Sequence, residues 1–140
     1  MTPEERAMQL LYEGYIPENQ PVVRDTILQE IDRIGSYTHH ILKDQQTPLE
    51  PSQVNDLRFL KNETRKMRQL WTTKPPLVTL TQDQKNALHH NMRSLLNAII
   101  GISTLLLADS DLLSSRQEMH VQTINDTGYQ LLEILREMLS

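Results

Sequence analysis

His90 stands on a stretch whose apolar residues recur at helical spacing, and that placement decides what its imidazole can do. At about 100° per residue, Leu88, Met92, Leu95, Ile99, Ile102 and Leu106 fall on one narrow stripe, the pattern of a helix packed along one side. On the same wheel His90 lies roughly 160–200° from that stripe, beside Arg93, Ser94, Asn97, Gly101 and Thr104, and so should face solvent. A neutral imidazole held on a rigid element with a free ring nitrogen is a nucleophile able to accept a phosphoryl group. Any polar residue on an amphipathic helix also points outward, so the residues around His90 carry the argument rather than the histidine alone.

Two runs give those surroundings a pattern. His90-Asn91-Met92-Arg93-Ser94-Leu95-Leu96-Asn97-Ala98-Ile99-Ile100-Gly101 resembles the phospho-acceptor motif of sensor histidine kinases. Ile124-Asn125-Asp126-Thr127-Gly128-Tyr129-Gln130-Leu131-Leu132 resembles the run on the partner helix of their dimerisation and phosphotransfer domain, so that the likeness covers about residues 80–139. The resemblance implies an antiparallel helical hairpin forming a dimeric four-helix bundle; with the N-terminal helical region that caps and apolar spacing mark before it, an all-α fold is the expectation. It implies His90 as phospho-acceptor with Arg93, Ser94 and Asn97 in support, no metal and no cofactor of the chain's own, and a homodimer. The implied partners are a response-regulator receiver domain or a kinase ATP-binding domain, either of which would carry the Mg²⁺. Independently of the likeness, Val121, Ile124, Gly128, Leu131, Leu135 and Met138 repeat at three-four spacing as a bundle seam requires. Asp109-Ser110-Asp111 and Ser114-Ser115 supply turn and cap residues between the two helices.

Three departures from the family pattern bear on activity. Asn91 stands where the family has an acidic residue that acts as a base in autophosphorylation, and an amide cannot take that proton. Leu95 replaces a proline, so the bend that proline introduces should be weaker or absent. Ser94 holds the position, four after the histidine, where family members often carry Thr or Asn to orient water for dephosphorylation. ATP-using members also carry a further α/β domain with Gly-rich lids. The four glycines here, at 14, 35, 101 and 128, form no phosphate-cradling loop, so the chain is not expected to act as an ATP-dependent kinase on its own.

Composition narrows the classes. The 140 residues suit one medium domain or two small helical units, and a hydrophobic content of 38% with one Phe and one Trp points to a core of Leu, Ile and Met. A net charge of −4 argues against nucleic-acid binding, which relies on clustered Lys and Arg to neutralise phosphates. Arg58, Lys61, Arg65, Lys66 and Arg68 cluster locally, but Asp56 and Glu63 balance them as on a solvated helix face. The chain has no cysteine, hence no disulfide framework. No apolar run is expected to reach the roughly 18 residues that span a bilayer, and the start Met1-Thr2-Pro3-Glu4-Glu5 lacks a basic leader; a cytoplasmic protein without membrane contact is the expectation.

The elements that must position His90 follow from caps and breakers. Thr2, Pro3 and Glu5 read as a helix start, with Gly14 closing a helix over 3–13, and a proline-bounded turn follows at 15–20. From Pro21 to about Lys43, Ile27, Ile31, Ile34 and Ile41 mark a second helix; after the break at 44–51, Leu57, Leu60, Thr64, Met67 and Trp71 mark a third over 52–72. Pro75-Pro76 exclude helix, so 74–80 is read as a linker between an N-terminal helical region at 1–73 and the hairpin at 81–140. Thr81 with Gln84 forms the capping box of the His90 helix, expected over 82–107, with its partner over 115–139. The pairs His39-His40 and His89-His90 diverge by about 100° on a helix and so do not suit one-face metal ligation. His120 falls one residue before the seam and is expected at a boundary. Besides phosphotransfer, two readings stay open: a degenerate kinase-like interaction module without chemistry, and an N-terminal fragment of a larger sensor histidine kinase.

Overall fold

Proline and capping residues set where each helix begins. The computed structural model describes residues 2–5, 21–44 and 46–139, among which four long helices stand out: α1 (Pro21–Lys43), α2 (Pro51–Thr73), α3 (Gln82–Ala108) and α4 (Ser115–Met138). Short 3₁₀ turns occupy Leu77–Thr79 and Ser110–Leu112. Thr81 caps α3 by accepting from the Gln84 N–H at 3.2 Å while Gln84 Oε1 accepts from the Thr81 N–H at 2.8 Å. Ser114 and Gln117 repeat the device for α4, at 3.1 and 2.9 Å. Each box satisfies two backbone donors that a bare helix start leaves open. Thr2 and Glu5 make the same reciprocal pair at 3.1 and 3.4 Å, whereas the rest of the expected 3–13 helix and the 15–20 turn lie outside the described residues.

Packing follows the apolar spacing. Ile27, Ile31, Ile34 and Ile41 on α1 and Leu57, Leu60, Thr64, Met67 and Trp71 on α2 are all buried. Thr38 and Thr64, buried among them, spend their hydroxyls on the carbonyls of Ile34 and Leu60 at 2.7 and 2.8 Å, leaving no orphan donor. On α3 the buried set is Leu88, Met92, Leu96, Ile99, Ile100, Ser103 and Leu106. Leu95 and Ile102, expected at the centre of the seam, are only half-buried. The stripe is thus turned toward Leu96 and Ile100 and broadened, because α3 packs against both α2 and α4 and a two-sided contact needs a wider apolar face. On α4, Val121, Ile124, Gly128, Leu131 and Leu135 are buried as their spacing implies, and Met138 half-buried.

The helices form a closed ring of neighbours, α1 on α2, α2 on α3, α3 on α4 and α4 on α1. An all-helical bundle results, with one hydrophobic core running from Ile27 to Leu139. The two sides of the 74–80 connector therefore share their interior. Leu77, in the connector, is itself buried, while the backbone is extended at Lys74 and Leu80 on either side of the 3₁₀ turn. One further expectation changes: α3 holds an 18-residue window of mean hydropathy 1.3, long and apolar enough by length and composition to cross a membrane. Leu88, Met92, Leu96, Ile99 and Leu106 of that helix line the core, whereas Leu105 is exposed.

Candidate functional site

α3 carries the site on the side opposite its buried face. His90, Arg93, Ser94 and Asn97 are all exposed and line one shallow depression of about 260 Å³. Their spacing of three, four and seven residues makes them successive steps along one helix ridge. The structure thus brings together the four residues singled out from the sequence. No hydrogen bond or ion pair among the described residues engages these four side chains. Asn91 is exposed beside them, and among the described residues no carboxylate lines the depression to serve His90 as a base. A neutral imidazole needs none to attack, since its unprotonated nitrogen carries the lone pair.

His89 shows the contrast one residue away. Its ring is half-buried, and Nε2 is enclosed without a hydrogen-bond partner. Adjacent imidazoles on one helix therefore stand in different media, one solvated and one lodged against the bundle.

Further along α3 than the ridge, the helix is tied to α4 by a partly buried polar knot that the apolar spacing does not single out. Asn125 Nδ2 on α4 donates to Ser103 Oγ at 2.9 Å and to Thr104 Oγ1 at 3.1 Å, while those hydroxyls donate to the Ile100 carbonyl at 3.0 and 2.7 Å. Three residues further along α4, Gly128 lies against Ile100: a Cβ there would stand 2.9 Å from Ile100 Cγ1. The glycine of the second motif thus sits where α4 packs directly against the side chains of Ile99 and Ile100 on α3. A second such tie is Gln117, whose Nε2 donates to the Thr47 carbonyl at 2.9 Å and fastens the α1–α2 loop to α4. The signal for both was a polar residue on an apolar stripe, which is legible as unusual but names no partner.

Away from the ridge, one buried carboxyl has a displaced pKa. Burial, then hydrogen bonding to and repulsion by Glu4, push Glu30 up to about 7, against the opposing pull of Arg33. Glu4 is held below its usual range, chiefly by hydrogen bonding to Glu30. Arg33 stands 3.6 Å from each carboxylate. No group of three or more His, Asp or Glu is arranged to hold a metal ion among the described residues.

Set against known protein families, curated proteins and solved structures, the chain matches none. The likeness to the histidine kinase phospho-acceptor region therefore rests on the two short runs alone.

Proposed function

We propose that this chain is a histidine phosphotransfer module of two-component signalling, in which His90 takes a phosphoryl group from a partner and passes it to another. The observation that carries the reading is the ridge of His90, Arg93, Ser94 and Asn97 on the solvent side of a helix whose other side is locked in the core. The unprotonated ring nitrogen of His90 attacks phosphorus, an N–P bond forms, and the P–O bond to the partner's aspartate breaks as the carboxylate leaves. Arg93, one turn away, offers positive charge to the phosphoryl oxygens, and Ser94 and Asn97 offer a hydroxyl and an amide. A receiver or kinase ATP-binding domain brings Mg²⁺ and the second reacting group. A cytoplasmic setting goes with such partners and with a chain that has no cysteine.

The antiparallel α3–α4 hairpin would be the family-like unit, and a homodimer would normally cover its seams. Here α1 and α2 cover them from within the chain, so we propose the one-chain bundle as the working unit. A homodimer joined through some other face is the alternative. A non-catalytic, kinase-like interaction module is the second reading, favoured by Asn91 in place of an acid. The N-terminal portion of a larger sensor kinase is the third. Incubation with phosphorylated receiver proteins separates the first two: an acid-labile, base-stable label that His90→Ala abolishes supports transfer, and its absence with every donor favours the interaction module.

A further inference from the structure

Where the C-terminal end of α1 meets the start of α4, His40, Lys43, Asp44, Gln46, Arg116 and His120 surround a depression of about 300 Å³. His120 rests on the Tyr37 ring, centroids 5.0 Å apart, and the His40 ring stands 6.3 Å from it. Among the described residues Asp44 is the only carboxylate of this lining, and its Oδ1 already accepts the Gln46 N–H at 2.9 Å. With both imidazoles neutral the lining carries a net charge of about +1, and with both protonated about +3. Burial, then the charges of Arg116 and His40, hold His120 below the ordinary histidine value, with Asp44 opposing. The cations here repel one another more than the single carboxylate relieves, and a bound anion would relieve them.

We propose that this depression binds a phosphate-class dianion, held by Lys43 and Arg116 and bridged between the two imidazoles. Donors converge from α1, from the loop after it and from α4, which suits a tetrahedral anion with oxygens in several directions better than a planar carboxylate. The charge count makes binding proton-linked, since neutralising a dianion calls for at least one protonated ring. The site is distinct from the His90 ridge: at about 1.5 Å per residue, His90 lies roughly 25 Å along the bundle from the end of α3 at Ala108, which shares a level with the start of α4. The proposal therefore stands whether or not His90 is phosphorylated.

Sulfate remains a dianion where histidines titrate, so any pH dependence of its binding belongs to the protein. Titration of the intact chain with sulfate, followed by the ring C–H resonances of His40 and His120, should give saturable shifts. Binding should be about tenfold or more tighter at about pH 6 than at about pH 8. Exchanging the two exposed cations in Lys43→Gln with Arg116→Gln should weaken it at least about tenfold, whereas Arg58→Gln, which removes an exposed charge on α2, should leave it unchanged. Inorganic phosphate and phosphoserine then distinguish sources: tighter phosphoserine binding assigns the site to phosphate esters, and tighter phosphate binding to the free ion, either supporting it. No saturable shift with any of the three anions would overturn the proposal. So would shifts that persist in the double variant, or equal weakening in Arg58→Gln.

Discussion

Gly101 and Gly128 end and anchor the two motifs, yet a methyl group would meet different things at each. At Gly101 nothing lies within 4 Å, and the residue is exposed on the helix. Gly101→Ala should therefore stabilise the fold by about 0.5–1 kcal/mol through helix propensity alone. At Gly128 the new Cβ would press on Ile100 Cγ1, near the root of a branched side chain packed in the interface. Gly128→Ala should cost about 1–3 kcal/mol in overpacking, less the propensity gain. Urea denaturation of the two variants checks the opposite signs. Glu30 supplies a second residue-scale expectation. Its pKa of about 7 in the fold against the ordinary 4.5 means that the native state keeps a proton that the unfolded chain has released, so its contribution to stability falls as pH rises through that window. Glu4, shifted the other way, loses its contribution only as pH falls below its ordinary 4.5. Glu30→Gln should raise stability above about pH 7 by on the order of 1 kcal/mol and flatten the slope, read from melting temperature against pH. The exposure of His90 was legible from the helical wheel, and the structure agrees. The pairing of Asn125 with Ser103 and Thr104 was not legible, because a buried amide announces a need for partners without saying which neighbouring helix meets it.

At the scale of the element, the helix starts were the most legible part of the chain. Pro21, Thr81 with Gln84, and Ser114 all open helices where they were expected, since caps and N-terminal prolines act through local backbone donors that need no tertiary context. Seam centres were less legible on α3, where Leu96, Ile100 and Ser103 are buried and Leu95 and Ile102 half-buried. Periodicity reports the mean direction of an apolar face, and a helix with two neighbours buries a broader arc than one stripe describes. Gln117 joins both levels, closing the α4 capping box and holding the Thr47 carbonyl while being 1% exposed. Gln117→Ala should cost about 1–3 kcal/mol, more than the roughly 1 kcal/mol of Ser114→Ala, because it also removes a buried amide and leaves the part-buried Thr47 carbonyl without that donor. Thermal melts of the two single variants compare them directly.

For the whole molecule, the feature that sequence reading could not reach is which surface covers which seam. An apolar stripe states that a helix must be buried, and a second copy of the same hairpin or another hairpin of the same chain meets that need equally well. The ring of α1 to α4 meets it within one chain, around a core shared by both sides of the 74–80 connector. Cutting that connector should therefore leave the two pieces associated under native conditions, and residues 1–73 or 81–140 made alone should lose helicity. Light scattering of the intact chain should give a monomer at micromolar concentration. The central claim, that the ridge on α3 does chemistry, is tested most directly by phosphoryl transfer itself. Incubated with a panel of phosphorylated receiver domains and Mg²⁺, the wild-type chain should acquire an acid-labile, base-stable label that is absent in His90→Ala. That variant should keep its helix content and lose no more than about 0.5 kcal/mol of stability, whereas His89→Ala should keep the label and lose more stability, its ring being lodged against the bundle. A wild-type chain that no donor labels, or a label that survives His90→Ala, would contradict the account.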